Sequence, residues 1–320
     1  MIRLVFILLA APLIACAGSL PFRQVADIPL SGHASRFDYA SLDPETGLLF
    51  IAHLGDSEVV AYDVEKGKVV ATIPGIDRVH GVLAVPETGK VYASATASNE
   101  IVAIDEKTLK VVARMPAGVY PDGMAYAPGE QKLYVSDEHG NTETVIDTRS
   151  NRRISTLRLE SEVGNSQYDP VSGHVFVNAQ TLGRLIEIDP ETDKIVGRHE
   201  LAGCDGPHGL LIDSAERIAF VACQDNDRLL ALDMKTMRVV SSFGVGKDPD
   251  VLAMDPGLHR LYVAGEQGVV SVFDLSGGAR KTGEGFVGDN AHVVTVDPAT
   301  HRLYFPLKNV GGFPVLRIMQ

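Results

Sequence analysis

The sequence has no tryptophan, and aromatic residues of any kind make up only 6% of its 320 residues. It has three cysteines, too few for a disulfide network to stabilise the fold, and a chain of this length can bury a large apolar core without one. Basic residues are also few, with 29 Lys and Arg against 41 Asp and Glu and a net charge of −12. Because nucleic-acid binders usually carry a basic patch, this balance argues against a nucleic-acid partner.

Several motifs of known chemistry are missing as well. The sequence contains no nucleophile elbow, no phosphate-binding glycine loop, no His-Glu-x-x-His zinc motif and no Cys-x-x-Cys-His haem attachment site. Beyond the N-terminus, no run approaches the ~18 apolar residues of a membrane-spanning helix. Sequence motifs therefore identify no catalytic residues, which remain unknown.

The N-terminus has the pattern of an export signal. Arg3 is followed by an apolar run, which is typical of a secretory signal peptide covering residues 1–15. The sequence Leu13-Ile14-Ala15-Cys16 resembles the bacterial lipobox, in which the cysteine is lipidated, although the small residues around it also fit ordinary cleavage. We therefore expect a protein of the periplasm or cell envelope, anchored at the outer membrane only through a lipid on Cys16, or else secreted.

One phrase recurs seven times along the rest of the chain: a short apolar run, a turn containing Asp or Pro, and a second run built on Tyr or Phe and Val. Equivalent positions of the copies are 43, 85, 127, 169, 213, 255 and 297, so five intervals are 42 residues long and one is 44. An alternating strand that ends on Asp, as in Ala61-Tyr62-Asp63, keeps the same spacing. Each repeat thus holds four short strands separated by turns, which is the pattern of a propeller blade.

These counts predict an all-β fold, a single seven-bladed β-propeller of four-stranded antiparallel blades over residues 22–320. The seventh repeat ends after its third strand, and residues 24–30 match the missing outer strand. We expect this N-terminal strand to complete the last blade and close the ring. In blade six the outer strand should fall within residues 279–286, and we expect it to be short or mobile because glycines surround it.

The repeats resemble a known family. The runs Leu133-Tyr134-Val135-Ser136 and Leu261-Tyr262-Val263-Ala264, and the phrases Pro121-Asp122-Gly123 and Pro207-His208-Gly209, are similar to those of bacterial extracytoplasmic YVTN-repeat β-propellers. The resemblance covers residues 22–320 and implies a propeller outside the cytoplasm. It implies no single activity, because members include surface-layer and envelope proteins, and related seven-bladed rings include lactonases, a lyase and metal-bearing oxidoreductases.

Asp and His recur at one position of the repeat, five residues before each marker. There stand Asp38, His80, Asp122, Gly164, His208, Asp250 and His292, which we call the ring residues, and blade four offers Asn165 beside its glycine. Each should lie where an inner strand begins, at the mouth of the central channel.

Three interpretations of the ring residues remain open. They could bind a divalent metal ion, the one cofactor that these side chains indicate, with His80, His208, His292, Asp122 and Asp250 as candidate ligands. They could instead belong to the blade motif and bond to one another, with the carboxylates raising the pKa of the imidazoles. Direct catalysis is the third interpretation.

Loops on the same face carry further polar residues, and irregular loops on a regular scaffold are where binding specificity is usually found. His53, Glu138 and His139 follow the least regular pattern among them, and we expect them to contact a ligand.

The two remaining cysteines, Cys204 and Cys223, form an even pair if Cys16 is lipidated. In an oxidising compartment this favours a disulfide. The hairpin of blade five should place residue 223 opposite His208, so a Cys/Cys/His metal site and two free thiols are the alternatives.

The function that these features indicate is that of an exported binding or scaffold module. Its Asp- and His-lined channel face would take a small ligand, a metal ion or another envelope protein, and we expect a monomer. A metal-assisted lactonase or lyase using the same face is the alternative, so whether the protein is an enzyme stays open.

Overall fold

The structure, a computed structural model, describes residues 19–320; the predicted signal peptide and the expected lipidation site Cys16 lie outside the described residues. The described chain forms 28 strands in seven four-stranded antiparallel sheets, with five short 3-10 helices between them. The helices span Leu54–Asp56, Pro86–Thr88, Thr96–Ser98, Glu138–Gly140 and Gln224–Asn226. Across residues 19–320 no helix has the length and apolar character needed to cross a bilayer. The predicted seven-bladed propeller is confirmed.

Blades one to six each consist of four consecutive strands, innermost first. Blade one has β2 (Ala40–Asp43), β3 (Leu48–His53), β4 (Glu58–Asp63) and β5 (Lys68–Pro74), and blade two has β6 (Val79–Val85), β7 (Lys90–Ala95), β8 (Glu100–Asp105) and β9 (Lys110–Pro116). Blade three has β10 (Pro121–Ala127), β11 (Lys132–Asp137), β12 (Thr142–Asp147) and β13 (Arg152–Arg158), and blade four has β14 (Val163–Asp169), β15 (His174–Ala179), β16 (Arg184–Asp189) and β17 (Lys194–Glu200). Blade five has β18 (Pro207–Asp213), β19 (Ile218–Cys223), β20 (Arg228–Asp233) and β21 (Arg238–Gly244), and blade six has β22 (Pro249–Asp255), β23 (Arg260–Gly265), β24 (Val269–Asp274) and β25 (Arg280–Phe286).

Blade seven joins the two ends of the described chain. Its order is β26 (Thr295–Asp297), β27 (Arg302–Val310), β28 (Phe313–Met319) and then β1 (Gln24–Pro29) as the outer strand. Asp27 of β1 accepts two hydrogen bonds from the Arg317 guanidinium of β28, at 2.8 and 2.7 Å. The inner strands β26 and β2 are in contact, so the sheets close into a ring. Closure of the last blade by the N-terminal strand is therefore confirmed.

The apolar core lies between blades. On β7, Val91 and Ala93 pack with Phe50 of blade one, whereas Tyr92 points the other way and packs with Leu133 of blade three. All of these side chains are buried. Because successive side chains of a strand point to opposite faces, a middle strand with apolar residues throughout is buried on both.

The Asp that ends the third strand of a blade stabilises the turn that follows it. Asp105 and Asp147 each accept a backbone hydrogen bond from the residue three positions later, at 2.8 Å in both turns. Hydrogen bonds from the Arg149 side chain and the Ser150 backbone lower the pKa of Asp147 to about 2. Part of the acidic balance of the chain therefore serves turn geometry rather than a partner.

Blade six differs from the expectation. Its outer strand β25 has seven residues, the same length as β9 and β13, so the prediction of a short strand is wrong. The strand pairs with β24 along its whole length, because glycines keep their backbone hydrogen bonds. A Cβ at Gly285 would lie 2.8 Å from the Leu20 side chain, so this glycine makes room for the chain that leads into β1.

Candidate functional site

A recurrent irregularity aims the ring residues at the channel. In blades two to six the pairing of the inner strand with its neighbour shifts register just after the first residue, as between Pro121 and Met124 in blade three. Over this stretch the inner strand advances by three residues while its partner advances by two. The extra residue forms a β-bulge at the ring residue and the position after it. The bulge also corrects the sequence-based pairing in blade five, because Cys223 lies opposite Pro207 rather than His208.

Glycine follows the ring residue in three blades because neighbouring inner strands approach closely there. A Cβ at Gly81 would lie 2.1 Å from the backbone oxygen of Asp122, and one at Gly209 would lie 1.9 Å from that of Asp250. No Cβ tolerates such a distance to backbone, so a side chain would push the next ring residue out of place.

We expect Gly209→Ala to lower the free energy of unfolding by about 3 kcal/mol, because the methyl group can be accommodated only by backbone movement. Urea unfolding followed by circular dichroism measures this loss. Gly244→Ala is the matched control, since a Cβ there meets nothing within 4 Å. Equal stability of the two variants would contradict the close approach.

Five of the seven ring residues line a polar cavity of about 340 Å³ at one end of the channel. We call it the acidic cavity, and its walls are Arg36, Asp38, Tyr39, Leu54, Arg78, His80, Tyr120, Asp122, Glu138, His208, Gln224, Asp250 and Glu266. Five of these residues carry carboxyl groups. Six of the ten residues expected from the sequence to bind a ligand are among them: Asp38, His80, Asp122, Glu138, His208 and Asp250.

A buried ion pair forms one wall. His208 Nε2 lies 3.3 Å from Asp250 Oδ1, and both side chains are almost completely buried. Burial alone would lower the pKa of His208, but the adjacent charge of Asp250, helped by that of Asp122, raises it to about 10. Burial likewise opposes ionisation of Asp250, yet His208 holds its pKa below the usual value. This wall therefore carries an imidazolium and a carboxylate at neutral pH.

Arg36 pairs with the carboxylates of two blades. Its guanidinium donates two hydrogen bonds to Glu266, at 3.0 and 2.5 Å, and lies 3.4 Å from Asp38. Burial opposes the charge on Arg36, but these carboxylates outweigh it and raise its pKa above the usual value. A bidentate pair of this kind fixes the geometry of both partners.

Asp122 is left without a partner for one of its oxygens. Its side chain is 4% exposed, and within residues 19–320 no group hydrogen-bonds Oδ1. Burial first, and then the charges of Asp38 and Glu138, raise the pKa of Asp122 well above its usual value. Burial and these two charges thus disfavour the ionised form of Asp122, and a positive group beside it would favour that form.

His80 and Tyr120 form a hydrogen-bonded pair on the opposite wall. His80 Nδ1 donates to the Arg78 carbonyl oxygen at 2.8 Å, which leaves Nε2 to accept from the Tyr120 hydroxyl at 3.0 Å. Burial lowers the pKa of His80, so its imidazole is neutral, and burial raises the pKa of Tyr120. The His139 ring packs against Tyr120 at an angle of 39° with ring centroids 4.2 Å apart. Its side chain is half-exposed, so it borders the cavity without lining it.

Tyr39 separates the acidic cavity from the channel below. It donates a 2.5 Å hydrogen bond from blade one to Asn165 Oδ1 of blade four. The two side chains also line the second space, about 330 Å³, between the inner strands. Asn165 thus supports the floor of the acidic cavity rather than its wall.

Two further expected histidines, besides His139, do not line the cavity. His292 is buried behind it, 3.9 Å from Asp250 and 3.8 Å from Glu266, and its Nε2 has no partner among the described residues. His53 is completely buried in blade one beside Asp56 and Glu58. Cys204 and Cys223 are joined by a disulfide, so neither is available as a thiolate ligand.

A divalent ion fits the acidic cavity poorly. Among the ring residues in the described part of the chain, only Asp250 and His292 belong to a group of three ligand atoms within 4.8 Å, with Glu266 as the third. The Arg36 guanidinium already occupies Glu266, and the His208 imidazolium lies beside Asp250. An ion there would have to displace or neutralise two positive groups.

Several wall residues were missed by the sequence reasoning, and three of them share one position of the repeat. Arg36, Arg78 and Tyr120 stand two positions before ring residues, so they share the 42-residue spacing. Arg78 and Tyr120 have φ of 48° and 61°, and the equivalent positions in blades five to seven carry Gly206, Asp248 and Asn290. A large side chain in the left-handed region costs roughly 1–2 kcal/mol. Arg or Tyr at a loop position where other blades carry Gly, Asp or Asn was therefore the sequence signal that could have indicated these wall residues.

Comparisons with known proteins agree on the fold. No family model matches the chain, and neither does any curated sequence. Among solved structures, it is similar to virginiamycin B lyase from Staphylococcus aureus, with a TM-score of 0.78, 12% identity and coverage of 93% of this chain and 99% of that one. Hydrazine synthase from Kuenenia stuttgartiensis gives a TM-score of 0.77, 15% identity and coverage of 90% and 96%. At these identities the likeness establishes the fold alone.

Proposed function

We propose that the protein is a binding module whose acidic cavity takes a small polar ligand with a positively charged group. The main observation in support is the buried carboxyl group of Asp122. One of its oxygens has no hydrogen-bond partner among the described residues, and its pKa is raised. An unpaired buried polar atom is costly, and a cationic ligand would remove that cost. The cavity volume of about 340 Å³ suits a metabolite-sized molecule.

The charge distribution supports a cation on one side of the cavity only. Asp250 and Glu266 are already paired with His208 and Arg36. Asp122 and Glu138 line the same cavity, and the charge of Glu138 contributes to the raised pKa of Asp122. We infer that Asp122 and Glu138 hold the positive group, while the Arg78 guanidinium is available for an anionic part of the same ligand. The Tyr120 oxygen, whose proton goes to His80, can accept a hydrogen bond from a ligand donor.

A calorimetric screen tests this proposal. Agmatine, putrescine and choline serve as cationic probes, and 1,4-butanediol and succinate as neutral and anionic ones of similar size. We expect at least one cation to bind wild-type protein, and Asp122→Asn to weaken that binding by about 10–100-fold, a loss typical of one charge-assisted hydrogen bond. Binding of the neutral probe alone, or equal binding by the variant, would contradict the proposal.

Asp122→Asn should perturb the fold little, because the uncharged amide resembles the protonated form of the carboxyl group that burial favours. We therefore expect its folding stability at neutral pH to stay near that of wild type. Asp255→Asn is the matched control, since Asp255 is equally buried but pairs with His301 away from the cavity.

Proton release gives a second signature of the same site. If a cation drives Asp122 to ionise, about one proton should pass to the buffer for each ligand bound at neutral pH. The measured binding enthalpy should then depend on the ionisation enthalpy of the buffer for wild type and not for Asp122→Asn. The same dependence in both proteins would assign the proton to another group.

A lactonase or lyase is the second candidate, and the hydrogen bond from Tyr120 to neutral His80 favours it. A phenol beside a neutral imidazole is an acid–base pair on a cavity wall, and one structural neighbour is named as a lyase. Turnover of a lactone panel that falls at least about 100-fold in Tyr120→Phe and His80→Gln would support this candidate. Unchanged turnover in both variants would exclude it.

We also propose that the protein belongs to the YVTN-repeat family and acts in the cell envelope as a monomer. The N-terminal pattern and the disulfide support export, because disulfides persist in oxidising compartments. Metabolic labelling with a fatty-acid analogue should mark the full chain and not Cys16→Ala. Cytoplasmic retention of a tagged full-length protein would contradict export.

A further inference from the structure

A second cluster of ligand-type side chains lies apart from the acidic cavity, where the segment after β1 crosses to blade one. One ligand atom from each of His53, Asp56 and Glu58 lies within 4.8 Å of the others. The three residues come from the end of β3, the 3-10 helix and the start of β4. None of them lines the acidic cavity.

The hydrogen bonds of the cluster fix the tautomer of His53. The Ser35 hydroxyl donates to Asp56 Oδ1 at 2.8 Å, so its oxygen accepts from His53 Nε2 at 2.9 Å. The proton of the neutral ring is therefore on Nε2, and Nδ1 presents a lone pair. Burial lowers the pKa of His53, which keeps the second proton off the ring.

The lone pair of His53 Nδ1 faces a carboxylate oxygen. Glu58 Oε1 lies 3.4 Å away, and neither atom has a hydrogen-bond partner among the described residues. The imidazole is completely buried, and Phe37 stacks on it with ring centroids 4.1 Å apart. Two acceptors facing each other in a buried place repel, unless a positive species lies between them.

We propose that this cluster is a binding site for a divalent transition-metal ion of the zinc type, held by His53 Nδ1, Glu58 and Asp56. Metal–nitrogen and metal–oxygen bonds of about 2.1 Å at a tetrahedral angle separate the two ligand atoms by about 3.4 Å, which is the spacing of His53 Nδ1 and Glu58 Oε1. Imidazole with carboxylates is a donor set that suits zinc, and two carboxylates balance its charge.

The surroundings of the site hold its ligands in position. Asp56 Oδ2 accepts a 2.7 Å hydrogen bond from the His33 backbone, which orients it as outer-shell groups orient metal ligands. A Cβ at Gly32 would lie 2.2 Å from that oxygen, so the crossing segment presses onto the cluster. The imidazole of His33 is exposed and lies 3.1 Å from Asp56, within reach of a fourth coordination position. A bound ion would thus tie the segment after the closing strand to blade one.

Titration of the chelator-stripped full chain with zinc chloride alone tests the proposal. We expect one equivalent of zinc to bind, and Glu58→Gln, which keeps the shape of the side chain, to weaken binding at least about 100-fold. Glu187→Gln is the matched control, because Glu187 contacts His174 and His199 on blade four and is not part of the cluster. Glu266→Gln reports on the acidic cavity, and both controls should bind zinc as wild type does.

Cobalt chloride gives a readout on the unaltered protein. A tetrahedral site with nitrogen and oxygen donors should produce visible absorption that zinc abolishes, and Glu58→Gln should lack it. Absence of zinc binding, zinc binding unchanged in Glu58→Gln, or zinc binding lost in Glu266→Gln would each overturn the proposal. The first of these outcomes would mean that only a proton shared by His53 and Glu58 separates the two acceptors.

Discussion

Replacing Asp250 by Asn is expected to remove about 3–5 kcal/mol from the free energy of unfolding at neutral pH, because it leaves His208 buried without its counter-charge. His208 and Asp250 lie 3.3 Å apart, and the carboxylate holds the pKa of His208 at about 10. Urea unfolding as a function of pH measures the loss.

The pH dependence identifies the ion pair as the cause. Because the pKa of His208 is raised on folding, its contribution is complete below the unfolded value of about 6.5 and is lost as pH rises through about 10. Because the pKa of Asp250 is lowered, its contribution is lost as pH falls below the usual range of Asp. Wild type should therefore lose stability between about pH 6.5 and pH 10, whereas Asp250→Asn should not.

Two further variants keep this prediction specific. Asp255→Asn also removes a buried carboxylate beside a histidine, but it should retain the decline at high pH because His208 keeps its partner. Asp250→Asn with His208→Gln should recover part of the loss, since no buried imidazole is then left unpaired. A decline that persists in Asp250→Asn would assign it to another group.

Placing charge on the inner face of the closing strand β1 is expected to lower the free energy of unfolding about as much as Asp250→Asn does. Ile28 of β1 and Leu30, which directly follows the strand, pack with Tyr304 and Leu316 between blades one and seven. We expect Ile28→Asp with Leu30→Asp to lower the free energy of unfolding by about 4 kcal/mol or more, because unpaired charges would be buried. Among the described strands only β1 pairs with the outer edge of β28, so the packing of β1 also keeps blade seven complete.

Val25→Asp is the matched control for the closing strand. Val25 lies on the same strand but is 49% exposed, so its substitution should change stability by less than about 0.5 kcal/mol. Equal and small effects of the two changes would mean that the ring stays closed without this strand.

The sequence predicts the architecture closely because each blade repeats the same pattern of strands and turns. The markers at 43 and 85, the Asp at the end of each third strand, and the outer-strand pattern of residues 24–30 each have a local cause in turn chemistry or strand alternation. The ring residues follow from the same spacing, which is why the repeat alone brings five Asp and His side chains to the cavity, although the sixth, His292, is buried behind it.

What the sequence does not predict depends on contacts between different blades. Spacing alone does not reveal that Tyr39 reaches across to Asn165, or that Arg36 binds Glu266 some 230 positions away. The interpretation of the ring as Asp and His bonding to one another holds for His208 and Asp250 but not for His80, whose partner is Tyr120. Glycine content misled the prediction for β25, because backbone pairing does not need side chains.

The most direct test of the binding proposal is a crystal structure of the protein grown with the cationic probe that binds most tightly in the calorimetric screen. Our account predicts density for the probe in the acidic cavity, with its positively charged nitrogen within hydrogen-bond distance of Asp122 and Glu138. An empty cavity with the probe bound elsewhere, or a probe held with its cation directed away from Asp122, would contradict it.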